Sequence, residues 1–436
     1  METEHSSLLR PDLANYCPAS NLMLNEKIRN LRKAGEKVYH LAFGQSPFPI
    51  YEGATKALCQ HAGENAYLPV AGIPELRQSI CDFHCKTDDL QDLDPEQVVV
   101  GPGSKELIYL LLEVFNGDVL LLSPCWTTYK PQCHLTRHNV VVMQTTMEDE
   151  WRLTPQLLEE TLATNDLHKN KLLILCNPDN PTGTCYSQHQ LKQLSSTLRK
   201  HGIVVLSDEI YARLHYTDNH ETIAKYYPEG TILCSGLSKW ASAGGWRLGY
   251  CVYPRELDPL RCAVKSAASH TYSCAAAPIQ YAALALFSYS DEVQEYRAHC
   301  SRILQAVGTY SCKELRAVGV KVVQPTSGYY ILPNFEVLRT SLSKLGITTC
   351  TQMCEALFEE ARVALMAGGP AFLRPLNEFT TRLCFIDFDG SHALKASKKL
   401  GLDVPLTEEF VKEYCGQTYD GIQALKRWVQ TQLEIE

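Results

Sequence analysis

The chain has 436 residues, of which 45% are hydrophobic and 21% are charged, which is typical of a globular protein with a substantial core. Disordered, collagen-like and simple coiled-coil proteins are therefore excluded. The 41 Lys and Arg residues against 49 Asp and Glu give a net charge of −8, and no sustained basic run is present, so nucleic acid is not expected as a partner.

The N-terminal residues METEHSSLLR are polar and acidic, without the apolar core of a signal peptide or the arginines of a mitochondrial leader. No stretch approaches the ~20 apolar residues of a membrane span, so no membrane partner is expected. The 18 cysteines fall below the roughly 8–10% of a disulfide scaffold. We therefore expect a cytoplasmic protein with reduced thiols.

Two cysteine pairs, Cys81 with Cys85 and Cys350 with Cys354, have a C-x3-C spacing. On a helix this spacing would place two soft ligands on one face. No second pair follows at zinc-finger spacing, and single buried cysteines behave as small hydrophobes. We expect no metal site.

Short apolar runs alternate with helix-like stretches through the first two thirds of the chain. The predicted strands are 98–100, 119–122, 140–143, 171–176, 203–206, 232–235 and 248–252, with predicted helices at 105–115 and 188–201. This alternation favours a mostly parallel sheet covered by helices on both faces. Ligands bind beyond the carboxyl ends of such strands, so the polar residues that follow each strand are candidates for a binding site.

The pattern changes after about residue 290. Predicted helices at 292–318, 351–362 and 407–433 mix with predicted strands at 320–323, 329–332 and 381–386. This mixture favours a separate α+β domain.

One lysine, Lys239, follows a predicted strand in the segment SGLSKWASAGGWRLGY. A lysine there is normally solvated, but with a lowered pKa it forms Schiff bases with aldehydes. Arg247 is placed to bind a phosphate with two hydrogen bonds, and the glycines before it permit a tight turn.

Three further segments follow strands or open a helix. NPDNPTG is a proline-rich turn, either ordinary or built to hold the Asn180 amide. Asp208, in SDEIY, is a helix cap, a metal ligand or the partner of a pyridinium nitrogen. The segment GPGSK at 101–105 opens a helix, where free backbone N–H groups can bind phosphate.

In order and spacing, NPDNPTG, SDEIY and SK-x7-R-x-G-Y resemble the class I/II aminotransferases of the fold-type I pyridoxal-5′-phosphate (PLP) enzymes, over residues 41–390. The resemblance implies an α/β fold: a large PLP-binding domain with a mostly parallel seven-stranded sheet, and a smaller α+β domain made from both ends of the chain. The expected boundaries are 1–45 for the N-terminal arm and its share of the small domain, 46–290 for the large domain and 291–436 for the C-terminal small domain.

The resemblance also implies roles around the cofactor. Lys239 corresponds to the catalytic lysine that holds PLP as a Schiff base and moves the α-proton. Asp208 corresponds to the partner of the ring nitrogen, which makes the ring a better electron acceptor. Tyr211 and Asn180 correspond to donors to the phenolic oxygen. Trp126, in SPCW, corresponds to the aromatic side chain that stacks on the ring.

The phosphate and the partner subunit involve a second group of residues. Gly103, Ser104 and Arg247 correspond to the phosphate site of the family, with Ser238 as a further candidate. Tyr67 corresponds to a tyrosine that reaches the phosphate of the neighbouring subunit. The resemblance therefore implies a homodimer with shared active sites.

Substrate binding involves Arg382, which corresponds to the arginine that binds the α-carboxylate with two hydrogen bonds. Gly44 corresponds to the loop glycine over the same carboxylate, and Asn180 and Trp126 are expected to touch the substrate too. In the bacterial-type aspartate aminotransferase branch, a lysine after the phosphate-loop glycines binds the distal carboxylate. Lys105 stands at that place beside the cofactor site, although a lysine at a helix start is also commonly solvated.

The resemblance implies ping-pong transamination between an L-amino acid, of aspartate or glutamate type, and a 2-oxo acid. The alternative is another PLP reaction on the same scaffold: a β-lyase, a decarboxylase, a racemase or an aminocyclopropane-carboxylate-synthase-like enzyme. A regulatory protein built on an aminotransferase domain is less favoured, because Lys239 is present and the ~40 residues before Leu41 are too few for a typical extra domain.

Overall fold

The structure is a computed structural model that describes residues 8, 10–13 and 20–435. It contains twelve strands within these residues: β1 (Tyr39–His40), β2 (Val98–Gly101), β3 (Asp118–Ser123), β4 (Val140–Gln144), β5 (Lys171–Cys176), β6 (Val204–Asp208), β7 (Thr231–Gly236), β8 (Gly249–Val252), β9 (Tyr330–Ile331), β10 (Val363–Ala364), β11 (Met366–Ala367) and β12 (Thr381–Cys384).

The same residues form fifteen α-helices: α1 (Ser20–Lys33), α2 (Glu52–His61), α3 (Pro74–Asp88), α4 (Ser104–Val114), α5 (Tyr129–Leu135), α6 (Pro155–Thr164), α7 (Gln188–Lys200), α8 (Asp258–His270), α9 (Ala277–Phe287), α10 (Asp291–Arg316), α11 (Arg339–Lys344), α12 (Cys350–Ala361), α13 (Gly390–Leu400), α14 (Glu408–Tyr414) and α15 (Gly416–Leu433). Short 3-10 helices lie at Pro11–Leu13, Pro95–Gln97, Ala212–Leu214, Ile223–Lys225, Pro228–Gly230, Gly244–Trp246, Arg255–Leu257 and Glu336–Leu338.

Seven strands form the central sheet, in the order β2-β8-β7-β6-β5-β3-β4. The pairs among β3, β4, β5, β6 and β7 are parallel, whereas β8 is antiparallel to both β2 and β7. The strands β2, β3, β7 and β8 are buried along their whole length, which explains their continuous apolar sequences. The predicted mostly parallel seven-stranded sheet is confirmed.

The register of this sheet brings the ends of three strands together. Cys176 at the end of β5 pairs with Asp208 at the end of β6, and Asp208 pairs with Cys234 in β7. The strands run parallel, so the turn that holds Asn180 and the loop that holds Lys239 leave the sheet at the same edge.

Two smaller sheets contain residues from both ends of the chain. β1 pairs in parallel with β10, and β11, β12 and β9 form an antiparallel sheet. The segment before residue 45 therefore contacts the part after residue 290. The boundaries at 45 and 290 stay a prediction.

Two predicted elements of the C-terminal part are wrong in detail. The expected strand at 320–323 is a single antiparallel bridge, in which Lys321 and Asn334 exchange two backbone hydrogen bonds of 3.1 and 2.8 Å. The expected helix at 407–433 is two helices, α14 and α15, separated by Cys415, whose φ of −122° and ψ of 34° are not helical.

In the part of the chain that the structure describes, no helix is long and apolar enough to cross a membrane. The same residues hold no group of three or more His, Cys, Asp or Glu side chains that could bind a metal ion. Cysteines 81, 85, 350 and 354 are all free. The remaining described cysteines are free as well, whereas Cys17 lies outside the described residues.

Candidate active site

A cavity of about 640 Å³ lies at the edge of the sheet where β5, β6 and β7 end. Eleven of the thirteen residues predicted for the site line it: Gly44, Ser104, Lys105, Trp126, Asn180, Asp208, Tyr211, Ser238, Lys239, Arg247 and Arg382. These residues are spread over more than 300 positions of the sequence, and the fold brings them to one place.

Lys239 follows β7 and is half-buried in this cavity. Its Nζ donates a hydrogen bond of 3.0 Å to the carbonyl oxygen of Gly44 and lies 5.7 Å from the centre of the Tyr211 ring. Burial lowers the pKa of the ammonium to about 8, and the positive charge of Arg382 adds to the effect. A lysine with this pKa supplies a neutral, nucleophilic amine near neutral pH.

Asp208 is the last residue of β6 and is buried. Its Oδ2 accepts a 2.7 Å hydrogen bond from the hydroxyl of Tyr129, and its Oδ1 accepts one of 3.3 Å from the backbone N–H of Ile210. Burial raises the pKa of the carboxyl to about 6, against the lowering effect of the Tyr129 hydrogen bond. A buried carboxylate with these neutral donors is suited to stabilise a protonated ring nitrogen.

Asn180 and Tyr211 lie side by side next to Asp208 and Lys239. The Asn180 Nδ2 donates to the Tyr211 hydroxyl oxygen at 3.3 Å. Burial raises the pKa of Tyr211 well above its usual value. Tyr211 therefore stays protonated and can donate a hydrogen bond to a ligand oxygen.

The start of α4 and the loop after β7 form an anion-binding corner. Gly103 has a φ of 96°, and a Cβ built there would lie 2.3 Å from Nη2 of Arg247. The Arg247 guanidinium donates to the carbonyl oxygens of Gly244 at 3.0 Å and Pro102 at 3.3 Å. Ser104 begins the helix, and first-turn N–H groups have no partner within the helix. This corner can hold a phosphate.

Arg382 is only 2% exposed. Its guanidinium donates to Asn180 Oδ1 at 3.3 Å and to the Ala42 carbonyl oxygen at 2.6 Å, and it lies 4.9 Å from the ring centres of Tyr330 and Phe372. Among the described residues it has no acidic partner, and its Nε has no hydrogen-bond acceptor. A buried guanidinium without a carboxylate is costly, so it favours a ligand that brings one.

Lys105 also lines the cavity. Its Nζ is 5.1 Å from the centre of the Trp126 ring. Burial lowers its pKa, and the charge of Arg247 lowers it further. Lys105 is therefore a partly buried residue of the cavity wall.

A model of the family described as Aminotransferase class I and II matches residues 36–387. The chain belongs to this family. It is 32% identical to the aspartate aminotransferase of Geobacillus stearothermophilus over 82% of this chain and 90% of that protein. It is 31% identical to the asparagine–oxo-acid transaminase of Streptococcus mutans over 80% of this chain and 88% of that protein.

Among solved structures, the aspartate aminotransferase of Thermus thermophilus with maleate superposes with a TM-score of 0.80 at 23% identity, over 96% of this chain and 99% of that one. At that identity the likeness concerns the fold. The predicted family, fold class, enzyme class and cofactor are confirmed. The chain is a PLP-dependent aminotransferase.

The cavity of this aminotransferase fits its cofactor from one end to the other. Gly103 leaves space for the phosphate, and Arg247 offers it a positive charge. The buried carboxylate of Asp208 suits the nitrogen of the cofactor ring. Trp126 offers an aromatic face, and Lys239 offers the amine. The donor set therefore matches PLP, and the individual roles stay predictions.

Two predicted residues do not line the cavity. Gly103 lies directly behind it, against Arg247. Tyr67 is 90% exposed and lies outside the cavity of its own chain, and its contact with a neighbouring subunit stays a prediction. The aminotransferase site also contains Tyr129 and Tyr330, for which the sequence predicts no role.

Proposed function

We propose that this aminotransferase transfers the amino group between L-aspartate or L-glutamate and a 2-oxo acid by ping-pong kinetics. One observation carries the substrate choice: two cations without acidic partners among the described residues, Arg382 and Lys105, line one cavity together with Lys239. An amino acid with two carboxylates would pair with both.

Pyridoxal phosphate supplies an aldehyde carbon and a ring that accepts electrons from the amino acid. Lys239 would hold the cofactor through its Nζ. The same amine, once free, would act as the base that takes the proton from the α-carbon of the amino acid and as the acid that returns it. The lowered pKa of about 8 suits both tasks, because the amine must be neutral to take the proton.

Asp208 and Tyr211 would stabilise charge at the two ends of the cofactor ring. The Asp208 carboxylate would pair with a protonated ring nitrogen, and its burial would keep water from weakening this ion pair. Tyr211 and Asn180 would donate hydrogen bonds to the phenolic oxygen. Both donors are fixed by their mutual contact of 3.3 Å.

The phosphate would be held by Arg247, by Ser238 and by the N–H groups that begin α4 at Ser104, where Gly103 leaves space. Trp126 would offer an aromatic face to the ring. Together these residues would fix the position of the cofactor relative to Lys239.

The α-carboxylate is bound by Arg382, which is pre-positioned between two aromatic rings at 4.9 Å. Gly44 would lie over the same carboxylate, and its carbonyl oxygen accepts the hydrogen bond from Lys239 Nζ. Lys105 would bind the distal carboxylate, and its Nζ lies 5.1 Å from the centre of the Trp126 ring.

The test is a titration of the purified holoenzyme with a panel of twenty amino acids, followed by visible absorbance. We expect loss of the Schiff-base band with aspartate and glutamate and its recovery with the matching 2-oxo acid. A response to aromatic or aliphatic amino acids alone would contradict the role of Lys105. The products separate the alternative reactions, because a β-lyase releases ammonia, a decarboxylase releases carbon dioxide and a racemase releases the D-amino acid.

We further propose that the active unit is a homodimer to which Tyr67 contributes across the interface. A mixture of Tyr67→Ala and Lys239→Ala subunits tests this point. Each variant alone is expected to be weakly active or inactive. If the site is shared, each hybrid dimer has one site with both changes and one site with neither, so mixing restores activity. If Tyr67 acts within its own chain, both sites of the hybrid carry one defect and activity does not return.

We also propose a cytoplasmic location. The described cysteines are all free, as expected where thiols are kept reduced. Thiol titration of the purified protein checks this, and finding most of the 18 cysteines paired would contradict it.

A further inference from the structure

Tyr330, on β9, lies in the active-site cavity with its hydroxyl directed at another phenol. Its Oη is 3.0 Å from Oη of Tyr211. The side chain is buried. Tyr330 therefore touches Tyr211, the predicted donor to the phenolic oxygen of the cofactor, although the sequence predicts Tyr330 only as part of a strand.

The position of this hydroxyl is defined on two further sides. A Cβ built on Gly44 would lie 1.8 Å from the Tyr330 Oη, so a glycine is required at residue 44 for the hydroxyl to stay where it is. The ring of Tyr330 packs 4.9 Å from the Arg382 guanidinium. One side chain thus contacts three predicted site residues.

The contact between the two tyrosines has a chemical consequence. Asn180 already donates to the Tyr211 oxygen at 3.3 Å, and the Tyr330 hydroxyl can donate to the same oxygen. Hydrogen bonds in a chain polarise one another. Two donors to the Tyr211 oxygen make its own O–H a stronger donor.

We propose that Tyr330 is a positioning residue that acts through Tyr211, strengthening the hydrogen bond that Tyr211 donates to the phenolic oxygen of the cofactor. This inference rests on the proposed roles of Tyr211 and Lys239. The proton on the link between Lys239 and the cofactor is the other donor to that phenolic oxygen. If the hydrogen bond from Tyr211 to the phenolic oxygen is weaker, the phenolic oxygen holds the proton between Lys239 and the cofactor more tightly. That proton is then lost only at a higher pH.

The experiment is a pH titration of the visible absorbance of the holoenzyme. Tyr330→Phe removes only the hydroxyl, and we expect the midpoint to rise by about half a pH unit, the scale of a modest hydrogen bond. The KM for aspartate should change little, because the ring over Arg382 remains.

Tyr216→Phe is the matched control. The Tyr216 hydroxyl donates to the Gly328 carbonyl oxygen at 2.9 Å, two residues before Tyr330, and lies outside the cavity. Tyr216→Phe should leave the midpoint of the pH titration unchanged. A shift equal to that of Tyr330→Phe would show that general loosening of this segment is the cause, and would overturn the proposal.

A double-mutant cycle tests whether Tyr330 acts through Tyr211. In a Tyr211→Phe background, Tyr330→Phe should add no further shift, and full additivity would overturn the proposal. An unchanged midpoint in Tyr330→Phe, beside a wild type that titrates normally, would overturn this inference alone. A wild-type holoenzyme without a titrating band would instead overturn the proposed role of Lys239, and this inference with it.

Discussion

Replacement of Arg382 by Met should separate activity from stability. Arg382 is buried without an acidic partner among the described residues, whereas Arg213 is equally buried and pairs with the fully buried carboxylate of Asp88. Replacement by Met removes a buried cation at either position. At Arg382 it should lower activity and spare stability, whereas at Arg213 it should lower stability. Arg213→Met is the matched control.

The magnitudes follow from the contacts. Arg382→Met removes two charge-assisted hydrogen bonds to a substrate carboxylate, each worth roughly 1.5–3 kcal/mol. We expect kcat/KM to fall by about 10²- to 10⁴-fold. The free energy of unfolding should stay within about 1 kcal/mol of wild type, because loss of an unpaired buried charge offsets the lost contact to Ala42. Arg213→Met leaves the Asp88 charge buried and should cost about 3–5 kcal/mol of stability.

The assay pairs steady-state kinetics with aspartate and thermal unfolding followed by circular dichroism. Arg382→Met should unfold near the wild-type temperature, and Arg213→Met clearly below it. If Arg382→Met lowered the unfolding temperature as much as Arg213→Met, Arg382 would be a structural residue, and the argument from its missing partner would be refuted.

Three other predictions concern the cofactor and the substrate side chain. Lys105→Ala should lower kcat/KM for aspartate by about 10- to 100-fold through loss of a charged contact and leave the value for alanine unchanged; equal losses for both substrates would contradict the assignment. The rate at which apoenzyme captures PLP should rise with pH and reach half its maximum near pH 8, since only the neutral Lys239 amine attacks and its pKa is lowered to about 8; a rate that is flat from pH 6 to 9 would refute this. Gly103→Ala should weaken PLP binding about tenfold, measured by equilibrium dialysis, because the new Cβ meets Arg247 at 2.3 Å. Gly35→Ala has a similar φ of 88° and open space around it, and should leave PLP binding unchanged.

Much of the large sheet could be predicted because its strands are buried on both faces. Continuous apolar runs such as KLLILC at β5 stand out in the sequence, and polar residues directly after them mark the functional edge of a parallel sheet. Asn180, Asp208 and Lys239 were found in this way. For these three residues, the position directly after a strand in the sequence corresponds to the edge of the sheet where the cavity lies.

The residues that were missed depend on contacts between distant segments. Tyr129 reaches Asp208 across 79 positions, and Tyr330 reaches Tyr211 across 119. In the sequence both look like core tyrosines. The break at Cys415 was missed because amphipathic patterns on its two sides read as one helix.

The pairing of β7 with antiparallel β8 means that Lys239 and Arg247 belong to a single hairpin. Gly236 and Gly249 face each other at its neck, and a Cβ on Gly249 would meet the Ser104 nitrogen at 2.3 Å. The hairpin thus packs tightly on α4, whereas Arg382 lies on β12, in a different sheet. The predicted amine and the predicted phosphate corner therefore share one hairpin of the central sheet, which fixes their spacing. The predicted carboxylate site at Arg382 belongs to another sheet, so its distance from the amine depends on how the two sheets pack against each other.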